Sequence, residues 1–239
     1  MNDREVQDEI IRFLTEPAMR GAPSSALPIA PEQAARAAHF AQFLARRYYR
    51  DRLGRSFRYS AMLAKSGRRG VDVVESEQFD RIVASEALGS LGAAQRIGAL
   101  AREHLVYVKG EPWWPALLDY EYAHFLQTAT SESRHAGQHP QRGASALCRQ
   151  FEWNMPELLQ RIKTKQSLGD ASLQRPVTLL FSRTHTGRIF VMEVDAATAV
   201  VFGALDGQRS AGEIAAVTKT APEVVEQILQ SLREVGAVV

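Results

Sequence analysis

Val177-Thr-Leu-Leu-Phe-Ser-Arg183, a turn at His185-Thr-Gly187, and Ile189-Phe-Val-Met-Glu-Val194 decide how this chain is read. Two apolar, β-branched and aromatic runs on either side of a glycine turn predict a pair of strands. Helical segments follow. Ala196 to Leu205 is the first, and Asp206-Gly207 ends it. Ser210 with Glu213 three residues on is a capping box that opens the second. Pro222, with Glu223 beside it, suits the first turn of the last, which leads to Gly236-Ala-Val-Val239.

Upstream of the strand pair, Leu147 to Trp153 alternates as a strand does, Pro156 to Lys163 reads as a short helix, and Gly169-Asp-Ala-Ser is a turn. Ser131 to Ser145 is rich in Ser, Gly, His, Gln and Arg and lacks large apolar residues, which reads as a linker. Everything before it is helical. Residues 5–16 carry Val6, Ile10, Phe13 and Leu14 on one face, Pro17 stops that helix, and a loop over 21–28 follows. Pro31 opens a helix to Leu53 with Phe40, Phe43, Leu44, Arg47 and Tyr48 at helical spacing, and Gly54 is expected to end it. Ser56–Lys65, a segment from Ser76, and Leu91–Val108 are further helices. Pro112-Trp-Trp-Pro115 is a rigid aromatic hinge before a helix with the stripe Leu118, Tyr122, Phe125, Leu126 and Ala129. The predicted class is α+β: an N-terminal helical bundle over 1–132, a linker over 133–146, and a domain with a small antiparallel sheet over 147–239.

Composition narrows the function. The 239 residues are 45% hydrophobic and 23% charged, enough for a sizeable core, and a net charge of +2 does not mark a dedicated nucleic-acid binder. Cys148 stands alone, which excludes an internal disulfide and a cysteine-built metal site. The polar, acidic start is not a signal peptide, and the longest apolar run falls far short of the ~20 residues of a membrane span, so a soluble cytoplasmic protein is expected.

Two Glu-x-x-His pairs, Glu121 with His124 and Glu132 with His135, have the spacing found in dinuclear iron bundles. Such bundles take the pairs from two facing helices. Here both fall in one helix and its end, so local polar contacts are the expected role. His39, His104, His135, His139 and His185 assemble no catalytic set, Cys148 has no base beside it, and no phosphate-binding glycine loop is present. The expectation is a chain with no catalytic residue, metal ligand or cofactor of its own. Arg46, Arg47, Arg50, Arg52, Arg55, Arg58, Lys65, Arg68 and Arg69, interleaved with Tyr48, Tyr49, Phe57 and Tyr59, suit a nucleic-acid stripe, a solvated face or a surface for an acidic partner. Trp113 and Trp114 suit a plug between helices or, if exposed, a partner hot spot.

Strand pair plus short helices make a winged-helix unit, which either enters a DNA groove or lends a sheet edge to a peptide. The outward face of the last helix carries Glu223, Glu226, Gln227, Gln230, Arg233 and Glu234, and three acids against one base would be repelled by phosphates. Its apolar face, Val224, Val225, Ile228, Leu229 and Leu232, is broad enough to pack on the sheet and also floor a groove beside an open strand edge.

The stretch from Arg183 to Ala216, with its order of strand, hydrophobic helix, Leu205-Asp-Gly and a Glu213-Ile-Ala helix, resembles the PqqD-type peptide-recognition element of ribosomal-peptide biosynthesis. A helical part carrying Leu117-Leu-Asp-Tyr-Glu-Tyr-Ala-His-Phe125 ahead of such an element resembles the partner subunits of multinuclear non-haem iron oxidases. These include the methanobactin partner and, more closely, the thiaglutamate type. The resemblance implies a partner protein that binds the leader of a precursor peptide. A separate oxidase would hold the iron and excise the β-carbon of a cysteine appended to the peptide. Carried onto this chain, it implies peptide contacts at Arg188, Phe190, Met192, Val194, Val224, Ile228, Leu229 and Leu232. Trp113, Trp114, Arg47 and Arg50 would meet the oxidase. The alternative is a winged-helix DNA-binding regulator.

Overall fold

The structure, a computed structural model, describes residues 31–64, 67–106, 111–131, 137–169 and 171–239. The helix expected over 5–16 and the pair Glu132 with His135 lie outside these residues. The fold is α+β: helices together with a small three-stranded antiparallel sheet.

Helix α1 (Pro31–Ser56) buries Ala41, Ala45, Tyr49 and Leu53, four residues apart along one face. It does not end at Gly54. The Phe57 amide still donates to the Leu53 carbonyl at 2.8 Å, and both side chains are buried, so the final turn is anchored on each side of the glycine. The chain then turns into α2 (Arg58–Leu63) and a 3₁₀ segment (Gly70–Glu75). Ser76 caps α3 (Glu77–Ser85) by accepting from the Phe79 amide. Helices α4 (Leu91–Val106) and α5 (Trp114–Ala129) pack closely because α4 presents Ala94, Gly98 and Ala101. A Cβ on Gly98 would stand 2.7 Å from the Tyr122 ring.

The sheet comprises β1 (Leu147–Phe151), β2 (Val177–Arg183) and β3 (Ile189–Glu193) in that order, both pairings antiparallel. Helix α6 (Met155–Thr164) joins β1 to β2. After β3 come α7 (Ala196–Ala204), α8 (Ala211–Thr218) and α9 (Pro222–Glu234). The capping box on α8 is complete: Ser210 Oγ accepts from the Glu213 amide, and the Glu213 carboxylate accepts from the Ser210 amide.

Strand β2 stands between two cores. Val177, Leu179 and Phe181 join the large core of the N-terminal helices, while Leu180 enters a second core with Val201, Phe202, Ile214, Val225, Leu229 and Leu232. Packing therefore crosses residue 147, where the sequence suggested a domain boundary: Phe151, Met155 and Leu158 also belong to the first core. Residues 141–146, read from sequence as linker, are held in place. Gln141 and Val239 exchange both backbone hydrogen bonds, the Gly143 amide donates to Ala237, and Ser145 Oγ donates to Gln127 Oε1 at 2.9 Å. Arg142 Nε donates to the Leu205 carbonyl at 2.9 Å. Main-chain pairing carries this segment, and composition does not register main-chain pairing. Among the described residues, no helix is long and apolar enough to cross a membrane.

Candidate functional site

Strand β3 has one neighbour, β2, among the described residues, so its far side is an open sheet edge. The register decides what that edge offers. Thr184 N donates to Arg188 O at 2.9 Å and Val194 N donates to Thr178 O at 2.9 Å. In an antiparallel pair, hydrogen-bonded and non-bonded positions alternate. Phe190 and Met192 therefore spend their backbone groups on β2, and Ile189, Val191 and Glu193 direct theirs outward. Strand β1 forms the opposite edge of the sheet, and α7 contacts it.

Beside β3 runs a trough of about 420 Å³, walled on its other side by α9. Leu180, Met192, Val194, Val224, Ile228 and Leu232 supply much of its apolar surface, and Glu193, Asp195, Thr198, Gln227 and Ser231 its polar lining. The helix period creates it. Val225, Leu229 and Leu232 turn into the second core, while Val224, Ile228 and Ser231, one step around α9, border the trough. Met192 and Val224 are each about two-fifths exposed, at 39% and 40%. At one end the Asp195 carboxylate accepts from the Thr198 amide at 2.7 Å, which caps α7 and holds its pKa below the usual range. Glu193 pairs with Arg175 at 3.3 Å.

The structure brings Met192, Val194, Val224, Ile228 and Leu232 to one trough. Other expected peptide contacts sit elsewhere. Leu229 is fully buried in the core, because the helix period turns it inward. Arg188, just before β3, and Phe190, on it, lie outside the trough lining, with the guanidinium 4.8 Å from the centre of the Phe190 ring. Trp113 and Trp114 are both 4% exposed, and the Trp114 indole N–H donates to the Leu105 carbonyl at 3.2 Å. They are an interhelical plug and present no surface to a partner. Arg47 and Arg50 are exposed, Arg50 in an ion pair with Glu75. Sequence reasoning missed Leu180 and the polar residues Glu193, Asp195, Thr198, Gln227 and Ser231. Leu180 was within reach, since alternation along β2 puts it opposite Met192. The polar residues carried no signal of their own.

A second cleft, of about 470 Å³, lies at the hairpin end and includes Arg183, His185 and Arg233. Its arginines both lie near the C-terminal ends of helices. Arg183 donates to the Gln127 carbonyl in the last turn of α5 at 3.2 Å, and Arg233 sits in the last turn of α9.

Glu121 is fully buried and caps α2. Its Oε1 accepts from the Tyr59 amide at 2.6 Å and the Ser60 amide at 3.1 Å, while Oε2 has no partner. Burial pushes its pKa up to about 7 against the opposing pull of these hydrogen bonds. His124 Nδ1 lies 3.2 Å from Ser56 Oγ, and burial lowers its pKa. The pair thus serves contacts between α1, α2 and α5. Among the described residues, no group of three His, Cys, Asp or Glu side chains could hold a metal ion. Cys148 is half-buried, and burial pushes its thiol pKa up, away from the reactive thiolate.

No protein-family model matches this chain, and no curated protein matches it either.

Proposed function

We propose that this protein is a non-catalytic partner that binds the leader of a ribosomally made precursor peptide and presents it to a separate iron-dependent oxidase. On this reading residues 147–239 form a winged-helix, PqqD-like recognition domain in the cytoplasm. The helical part meets the oxidase, which holds the iron and modifies a cysteine in a thiaglutamate-type pathway. The work of this chain is positioning: a tethered leader raises the local concentration of the reacting residue.

The observation that carries the reading is the pairing of an outward-directed backbone row with an apolar trough. An extended peptide laid along β3 would bond to Ile189, Val191 and Glu193 and send alternate side chains toward Val224, Ile228 and Leu232. DNA readout is disfavoured, since Glu223, Glu226 and Glu234 are all exposed on α9 against Arg233 alone.

Two variants test the groove. Glu193→Pro deletes one outward N–H on an exposed edge residue, where proline is tolerated. Ile228→Asp puts a charge into the apolar lining. Linear peptides are selected from a displayed library against the full chain and their affinities measured by fluorescence polarisation. Glu193→Pro is expected to weaken them about 5-fold, one net hydrogen bond, and Ile228→Asp about 30-fold or more. Recovered peptides that bind both variants as tightly as the parent protein, or a salt-sensitive duplex-DNA shift in place of peptide binding, would overturn the proposal.

A further inference from the structure

The exposed side of α1 carries a feature that the peptide groove does not use. Arg36, Phe40, Phe43, Arg47 and Arg50 are spaced by four, three, four and three residues, which stacks them along one helix face. The stripe is about 21 Å long at the helical rise of about 1.5 Å per residue. Phe40 and Phe43 are 52% and 54% exposed, and their rings stack with centroids 6.5 Å apart and an interplanar angle of 22°. The opposite face of the same helix, through Ala41, Ala45 and Tyr49, is buried, so the stripe is a ridge on a fixed support.

The charges around the aromatic pair are unevenly matched. Arg46 bonds to Asp80 at 2.8 Å and Arg50 pairs with Glu75. Arg36 and Arg47, which bracket the two rings, are exposed and have no ion pair among the described residues. Aromatic rings and arginines are the residue types that dominate binding at protein interfaces. An apolar centre flanked by unmatched cations calls for an apolar pocket flanked by carboxylates.

We infer that the Arg36–Phe40–Phe43–Arg47 ridge of α1 is a docking surface for an acidic protein partner, whose pocket takes the two phenyl rings while its carboxylates meet the flanking guanidinia. A lipid surface fits less well, because two rings make a narrow apolar strip and an interfacial helix needs a broad one. A nucleic acid also fits less well, because Glu75 and Asp80 border the same face and offset Arg46 and Arg50. The inference does not depend on what fills the trough beside β3.

The test begins by replacing Phe43 with photoreactive benzoylphenylalanine in the full chain and irradiating cells that express it. The expected product is a crosslink to one other protein. That protein is then purified and titrated against the full chain. Phe43→Ser is expected to weaken binding at least tenfold and Arg47→Glu about tenfold, with weakening by added salt for the parent chain. A carboxylate-to-lysine change in the partner's contact should restore binding to Arg47→Glu. Both replaced side chains are exposed, so thermal melts of the variants should match the parent. Their affinity for the library-selected peptides should also be unchanged, which separates a failure here from a failure of the groove. Crosslinks to residues 1–30 of the same chain, to a second copy, to lipid or to nucleic acid, or no crosslink at all, would overturn the inference.

Discussion

Replacing Glu121 by Gln should flatten the dependence of stability on pH. The carboxyl is fully buried, and burial raises its folded-state pKa from 4.5 to about 7. Between those values the folded protein holds a proton that the unfolded chain has lost. The stabilisation linked to this proton is complete below the unfolded value and disappears as pH rises through the folded one. A displacement of about 2.5 pKa units corresponds to ~3 kcal/mol at about 1.4 kcal/mol per unit. Glutamine keeps the acceptor oxygen that the Tyr59 and Ser60 amides need, and it cannot ionise. Urea titrations of both proteins at about pH 5 and about pH 8 give the comparison: the parent should lose ~2–3 kcal/mol more than Glu121→Gln across that interval. In thermal melts the same difference amounts to roughly 5–10 °C for a chain of this size. Parallel pH curves for the two proteins would refute the reasoning, because they would mean that Glu121 titrates alike folded and unfolded.

Two further perturbations test how the second core closes. Gly236 has φ +72°, and a Cβ there would stand 2.5 Å from the Arg183 carbonyl oxygen, so Gly236→Ala should cost about 2 kcal/mol or more by urea titration. An unchanged midpoint would show that the loop after α9 shifts freely. Ser210→Ala removes half of the α8 capping box and should cost about 1 kcal/mol, with faster amide exchange confined to the first turn of α8.

Much of the fold was legible because short-range chemistry dictates it. The strand Val177–Arg183 was read to its ends, the helix starts at Ser76, Ser210 and Pro222 follow from capping and proline chemistry, and the α+β class follows from the periods. Gly54 misled, because a glycine terminates a helix only where the backbone turns left-handed, and buried neighbours hold it helical here. Residues 141–146 misled because their order comes from main-chain bonds to residues 237–239, distant in sequence. At the trough, apolar residues at helical or alternating spacing were found. Whether Leu229 or Ile228 faced outward depends on how α9 is rotated against the sheet, which tertiary packing sets. Trp113 and Trp114 had two readings that only burial could separate. The ridge on α1 is half visible in the sequence: Phe40, Phe43 and Arg47 fall at helical spacing, but which face of the helix packs inward, and so the exposure of the two rings, is set by tertiary contacts.

The alternation of β2 between two cores has a consequence for which changes of length this chain can tolerate. Inserting one residue within 177–183 would exchange the sets headed by Leu179 and Leu180, turning each into the wrong interior and pushing Ser182, bonded to the Val235 carbonyl, toward aromatic neighbours. Insertion at the exposed tip around Thr186 and Gly187 would leave both interiors as they are. Drift among descendants should therefore lengthen or shorten the hairpin tip freely while the seven residues of β2 keep their count.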